Sequence, residues 1–171
     1  HRHSLEAVVA RRTAEIDEAR ARLKATLDAV PDLLFEIAHD GRILDYRSPR
    51  HDLLYLPPEQ FLGRRQADVL PAAASQAIDE AMAQAAAQGR SMGLQYELPL
   101  AQGPSWFELS VSRKPDPAGG PPSFILLARD ITDRKRDEVE IDLHRSYLEL
   151  EVKARTAELE QSKAAADAAN V

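Results

Sequence analysis

A helical repeat near both ends of the chain constrains the fold more than any other feature. Aligning Leu5 with Leu148, an offset of 143 positions, matches leucine, glutamate, valine, arginine, threonine, alanine and glutamate in order. Spacings that alternate between four and three residues mark the seam of a helix pair. The two seams are Leu5, Val9, Arg12, Ile16, Ala19, Leu23, Thr26 and Val30, and Leu148, Val152, Arg155, Leu159, Ser162 and Ala166. We therefore expect a globular segment between two related coiled-coil helices that form a homodimer, parallel or antiparallel.

Charge and composition exclude several functional classes. The 171 residues include 28 acidic and 22 basic side chains, a net charge of −6, so the basic stripe that phosphate backbones require is missing. The chain has no cysteine, which excludes disulfides, thiolate metal sites, cysteine nucleophiles and cysteinyl-flavin adducts. No apolar run approaches the roughly 18 residues of a membrane span. We expect a cytoplasmic segment that does not bind nucleic acid, compatible with a longer, membrane-anchored protein.

The first half of the globular segment predicts a β-hairpin. The N-terminal helix should end near Val30, because Pro31 disfavours helical geometry in the residue before it. Two short apolar-rich runs follow, at 33–38 and 42–47, and His39-Asp40-Gly41 separates them. Asp-Gly between two such runs is a strong hairpin signal.

The second half predicts a helix and three strands. Residues 48–70 are broken by prolines and a glycine, whereas 71–88 are alanine-rich, begin with Pro71 and end before Gly89. This pattern favours a helix with Ile78, Met82 and Ala85 on its inner face. Alternating strands are expected at 91–100, 105–114 and 123–132. The last is apolar on both faces and should be central in the sheet.

Several local strings resemble a PAS domain over about residues 26–136. They are Asp-Ala-Val-Pro-Asp-Leu-Leu-Phe at 28–35, Asp-Gly-Arg at 40–42, Leu-Gly-Arg at 62–64, Trp-Phe-Glu at 106–108 and Arg-Asp-Ile-Thr-Asp-Arg-Lys at 129–135. The last string resembles the Asp-Ile-Thr junction between the final PAS strand and a signalling helix. The resemblance implies an α+β fold, with a five-stranded antiparallel sheet and helices on one face. It implies an N-terminal helix at 1–30, a PAS domain at 31–132 and a C-terminal linker helix at 133–171.

The C-terminal segment from Val152 resembles the linker that precedes the phosphoacceptor domain of hybrid sensor histidine kinases. The resemblance implies a sensory or relay module of a bacterial two-component sensor histidine kinase, with the kinase domain in the same polypeptide. A ligand-free dimerisation spacer and the input domain of a diguanylate cyclase are the alternatives. No nucleophile elbow, phosphate loop or distinct carboxylate pair indicates catalysis within this segment.

The signal is expected to leave the domain through Asp130, Ile131, Thr132 and Arg134. Asp130 and Arg134 are four positions apart and can pair if the helix begins by Thr132, which would fix the angle of the C-terminal helix. An ordinary helix cap by Asp130 or Thr132 is a compatible interpretation.

Arg12 and Arg155 occupy the same seam position in the two helices. A charged residue at such a position costs stability but restricts register and partner choice. The alternative is that both side chains extend outward from an interface of small residues.

Candidate pocket residues are few and have structural explanations as well. Tyr46, His51, Tyr55, Met82, Tyr96 and Trp106 are the side chains selected for pocket lining. Surface exposure of His51 and core or interface packing of the others explain the same pattern. The helix at 71–88 has no histidine where PAS domains of similar layout would place a haem ligand, so haem is disfavoured. A small-molecule ligand stays open, and the expected state has no cofactor.

Overall fold

The computed structural model describes residues 2–170, in two compact units of which the first ends at Ile131 and the second begins at Thr132. The helices are α1 Arg2–Asp28, α2 Pro58–Phe61, α3 Gln66–Val69, α4 Ala72–Gln88 and α5 Thr132–Ala169, with a 3-10 turn at His51–Leu53. The strands are β1 Leu33–Ala38, β2 Ile43–Arg47, β3 Arg90–Leu100, β4 Gly103–Lys114 and β5 Ser123–Asp130. The second unit is thus α5, which was predicted to begin at residue 133. The predicted spans 1–30 and 133–171 also include residues 1 and 171, which lie outside the described part.

The strands form one antiparallel sheet in the order β2–β1–β5–β4–β3. The prediction that the last strand is central is confirmed. The central position agrees with the burial of β5. Phe124, Leu126 and Ala128 are buried on one face, and Ile125 and Leu127 are half-buried on the other. The inner face and the helices over it enclose the apolar core.

The predicted hairpin at 39–41 is confirmed, and a later segment extends it. Gly41 adopts φ +89°, a left-handed conformation that glycine accepts without strain. The Ile43 N–H donates to the Arg64 carbonyl at 2.9 Å, and the Gln66 N–H donates to the Gly41 carbonyl at 2.9 Å. The irregular segment is therefore fixed to β2 by backbone hydrogen bonds.

The predicted helix at 71–88 is confirmed, with Pro71 as the N-cap residue and Gly89 closing the C-terminus at φ +89°. The expected inner stripe of Ile78, Met82 and Ala85 is buried. This helix therefore covers the inner face of the sheet as its apolar spacing requires.

Three boundaries differ by two residues from the predicted positions. α1 ends at Asp28, where the prediction was near Val30, because the Val30 N–H donates to the Leu27 carbonyl at 3.2 Å in a tighter turn. β4 begins at Gly103 rather than residue 105, since Gly103 already pairs with Leu100 of β3. β5 ends at Asp130 rather than Thr132, since Thr132 is already helical. The alternation of residue types in the sequence continues past Asp130, although the backbone becomes helical at Thr132.

Candidate functional site

The end of β5 is held to the neighbouring strand β4. Asp130 is the last β5 residue and lies opposite Phe107 in the ladder. The N–H of Ile131 donates to the Trp106 carbonyl at 2.8 Å, and the Ile131 side chain is buried. The position where the chain leaves the sheet is therefore fixed by a backbone hydrogen bond and by an apolar anchor.

Arg50 of the irregular segment interacts electrostatically with Asp130 at the end of β5. Arg50 binds the Asp52 carboxylate through two nitrogens, at 2.9 and 2.8 Å. This hydrogen bonding, with a smaller contribution from the charge of Asp130, raises the pKa of Arg50. On α5, Arg134 lies 3.8 Å from Glu138. The predicted Asp130–Arg134 pair joins residues of two separate units and stays a prediction.

Two ion pairs hold the linker between α1 and β1 to the sheet. Both Nε and Nη2 of Arg129 lie 3.3 Å from Oδ2 of Asp32, a carboxylate whose side chain is only 11% exposed. Arg47 of β2 lies 3.5 Å from Asp28, at the end of α1. Sequence reasoning missed both pairs, because the partners are far apart along the chain.

An apolar cavity of about 50 Å³ lies between the sheet and the short helices. Its walls include Leu33, Ile37, Leu98 and Leu126 from the sheet. The remaining wall comes from residues of the irregular segment and α4, among them Leu53, Leu56, Phe61, Val69, Leu70 and Ile78. A cavity of this composition favours apolar groups and offers few hydrogen bonds to a ligand.

Tyr55 and Tyr96 are the two predicted pocket residues that line this cavity. Tyr96 stacks on Phe107, with ring centroids 5.6 Å apart and an interplanar angle of 22°, and its burial raises the pKa of the phenol. The cavity also has Phe35 and Phe61 in its walls, which sequence reasoning did not select although Phe35 lies on a predicted strand.

The other four predicted pocket residues lie outside the lining of this cavity. The Tyr46 ring packs edge-on against Phe61 at 5.3 Å, behind the wall. Met82 is buried on α4, and Trp106 is half-buried next to the fully buried Phe107. His51 is exposed, because it begins the 3-10 turn between Arg50 and Asp52.

Gln66 is a buried polar residue that sequence reasoning missed. Its side chain is 1% exposed, and Nε2 donates to Oδ1 of Asp79 at 2.7 Å. Because a carboxylate only accepts, this bond fixes the orientation of the amide. Oε1 is buried without a hydrogen-bond partner among the described residues. A glutamine in an irregular segment carries no sequence signal for burial.

The flanking helices expose their predicted seams. Leu23 of α1 is 60% exposed and Leu159 of α5 is 70% exposed, and the other seam residues Leu5, Val9, Ile16, Leu148 and Val152 are exposed as well. Arg12 and Arg155 each pair with a glutamate of the same helix, Glu15 at 3.2 Å and Glu151 at 3.8 Å.

Residues 2–170 contain no group of three or more histidine, cysteine, aspartate or glutamate side chains arranged to hold a metal ion. In the same part of the chain, no helix has an apolar stretch sufficient to span a membrane.

The sheet, the helices over its inner face and the terminal helices define an α+β domain of the sensory type. Residues 27–136 match the family described as PAS fold, which is well over half of the chain. The chain therefore belongs to the PAS fold family, whose domains act in signal transduction and are not themselves catalytic.

Solved structures show the same fold. The PAS domain of a Colwellia psychrerythraea protein is 21% identical with a TM-score of 0.54, over 67% of this chain and 98% of that chain. A PAS domain of an HTR-like protein from Haloarcula marismortui is 20% identical with a TM-score of 0.53, over 71% and 99%. An RNA-binding light-oxygen-voltage receptor is 17% identical with a TM-score of 0.56, over 74% and 37%. At these identities the likeness concerns the fold alone. A comparison with curated protein sequences finds no match.

Proposed function

We propose that this chain is a signal-relay PAS module of a bacterial two-component sensor histidine kinase. It works as a homodimer and passes a conformational signal through Asp130, Ile131 and Thr132 into α5. One observation carries the proposal: the central strand β5 leads within two residues into a 38-residue helix, and Ile131 between them is anchored to β4. A change in strand packing would therefore act directly on the residue that precedes the helix.

The homodimer is supported by the exposed seams of α1 and α5. Burying a leucine or isoleucine side chain yields roughly 1.5–3 kcal/mol, so leaving two such seams in water is costly. Charged side chains on the remaining helix surface, among them Glu15, Glu18 and Arg22, form pairs along the same helix. A charged outer face with an apolar seam is typical of coiled coils.

The small cavity favours a relay that works without a cofactor. Ligand pockets usually enclose about 300–1,000 Å³, whereas this cavity encloses about 50 Å³. Haem or flavin would require the core to open. The same observation favours the second candidate function, a dimerisation spacer that transmits nothing.

The relay and the spacer are distinguished by the response of α5 to Asp130→Ala. Because the chain has no cysteine, Ala164→Cys on α5 gives a single site for a spin label. We expect the distance distribution between the two labels of a dimer to change in Asp130→Ala, since the side chain before the Ile131 anchor is lost. Asp133→Ala is the matched control, because the Asp133 side chain is 96% exposed and its carboxylate pairs with Arg136 of the same helix at 3.7 Å.

An unchanged distribution in a folded Asp130→Ala dimer would contradict the relay and favour the spacer. A native mass spectrum of the same samples gives the mass of the assembly. A monomeric mass would refute the homodimer, and an added small-molecule mass would identify a ligand sensor instead.

A further inference from the structure

The chain enters and leaves the sheet at the same end. β1 and β5 are antiparallel neighbours, with Leu33 opposite Ala128. The first residue of β1 therefore lies beside the C-terminal part of β5. The linker between α1 and β1 therefore lies next to the last residues of β5.

An ion pair joins these two segments directly. Asp32, the residue before β1, contacts Arg129, the residue before Asp130, through both Nε and Nη2 at 3.3 Å. Both nitrogens contact the same carboxylate oxygen, Oδ2, so one planar guanidinium supplies two donors in a fixed arrangement. The carboxylate is almost entirely enclosed, so its solvation depends on Arg129. Neither residue lines the apolar cavity.

We propose that the Asp32–Arg129 pair couples α1 to Ile131, so that a signal arriving through the N-terminal helix reaches the end of β5 without passing through the cavity. This inference rests on the proposed relay function and names its input. Movement of the linker pulls on Arg129, and Arg129 is two residues from the backbone hydrogen bond of Ile131. Asp32 and Arg129 are positioning residues, because they act through Ile131.

A second ion pair provides a matched control. Asp28 is the last residue of α1, four positions before Asp32, and pairs with an arginine at 3.5 Å, but this arginine, Arg47, is on the edge strand β2. Loss of either carboxylate removes one contact between the sheet and the segment that leads from α1 into β1. Only the loss of Asp32 removes an anchor to β5.

The test measures hydrogen exchange of the Ile131 N–H by NMR in the full chain while α1 is perturbed. Ala19→Pro interrupts α1 in its interior, because proline removes a helical hydrogen bond and clashes with the preceding turn. We expect this change to alter the Ile131 exchange rate about two- to fivefold, the range of a partly exposed ion pair. With Asp32→Asn the response should disappear, and with Asp28→Asn it should persist.

Charge exchange separates coupling from general loss of structure. We expect Arg129→Asp alone to lose the response and the double variant Asp32→Arg/Arg129→Asp to recover it. Ala25→Gly, which weakens the last turn of α1 because glycine has a low helix propensity, serves as the milder perturbation if Ala19→Pro unfolds the domain.

Two results would overturn the proposal. One is that Ala19→Pro changes the Ile131 exchange rate as much in Asp32→Asn as without it. The other is that Ala19→Pro alone leaves the Ile131 exchange rate unchanged. The native mass of each sample keeps this result separate from the proposed function. A monomeric mass would refute the homodimer, whereas the Ile131 exchange rates would still decide whether Asp32 couples α1 to β5.

Discussion

Filling the apolar cavity should stabilise the domain by an amount that its volume limits. A void in a core costs about 24 cal/mol per Å³, so about 50 Å³ corresponds to about 1.2 kcal/mol. Val69, the last residue of α3, is a half-buried wall residue. Val69→Leu adds one methylene, worth about 0.8 kcal/mol when buried. We expect the free energy of unfolding to rise by about 0.8 kcal/mol, and by no more than the 1.2 kcal/mol limit.

Urea and thermal unfolding measure this change. Trp106, the single tryptophan, lies on β4 and reports on the sheet by its fluorescence. For a domain of about 100 residues the melting temperature should rise by about 3–6 °C. Val139→Leu is the matched control, the same substitution at an exposed site of α5, and should stay within about 0.5 kcal/mol of the native chain.

A loss of 1 kcal/mol or more in Val69→Leu would refute the reasoning, because overpacking costs about 1–3 kcal/mol only where no free space exists. An equal gain in Val139→Leu would refute it as well, since the effect would then come from helix propensity and not from the cavity.

The remaining two predictions concern polar groups near the hairpin. Gln66→Met removes a buried oxygen that has no described partner, which relieves a cost of about 1–3 kcal/mol. It also removes one hydrogen bond, which loses about 0.5–1.5 kcal/mol, so urea unfolding should show an unchanged or higher stability. Asp79→Ala should instead lower the midpoint, because it leaves Nε2 of Gln66 unpaired; equal losses in both variants would contradict this account. The backbone N–H of Arg42 donates to the Asp40 carboxylate and lowers the pKa of Asp40 from its ordinary 3.8. The contribution of Asp40 to the free energy of unfolding is therefore complete above pH 3.8, and it is lost as the pH falls through the lowered pKa. Asp40→Asn should therefore flatten the pH dependence of the urea midpoint below about pH 4, and an unchanged acid limb would refute this assignment.

Elements that carry their own local pattern could be predicted from the sequence. The hairpin at 39–41 and the helix before Gly89 depend on residues that fix backbone geometry where they stand. The central position of β5 follows from apolar residues on both of its faces.

Features that depend on distant partners could not be predicted. The position where the chain leaves the sheet is fixed by the Ile131 N–H, which donates to the Trp106 carbonyl, 25 positions earlier in the chain. The cavity wall at Phe61 depends on the irregular segment pairing with β2, through the Gly63 N–H and the Ile43 carbonyl at 2.8 Å. Apart from Met82, the predicted pocket residues have polar tips, whereas most of the observed wall is purely apolar.

The geometry of β5 favours an input through the linker over an input through the cavity. β5 reaches the cavity at Leu126, which is fully buried in a close-packed core, so displacing it would disturb many neighbours. The contact to Asp32 lies at the surface end of the same strand, and Arg129 there is largely exposed. An ion pair at this position can shift while the core stays packed, and it acts three residues closer to Ile131 than Leu126 does. A relay that draws on this contact needs no bound ligand to move the end of β5.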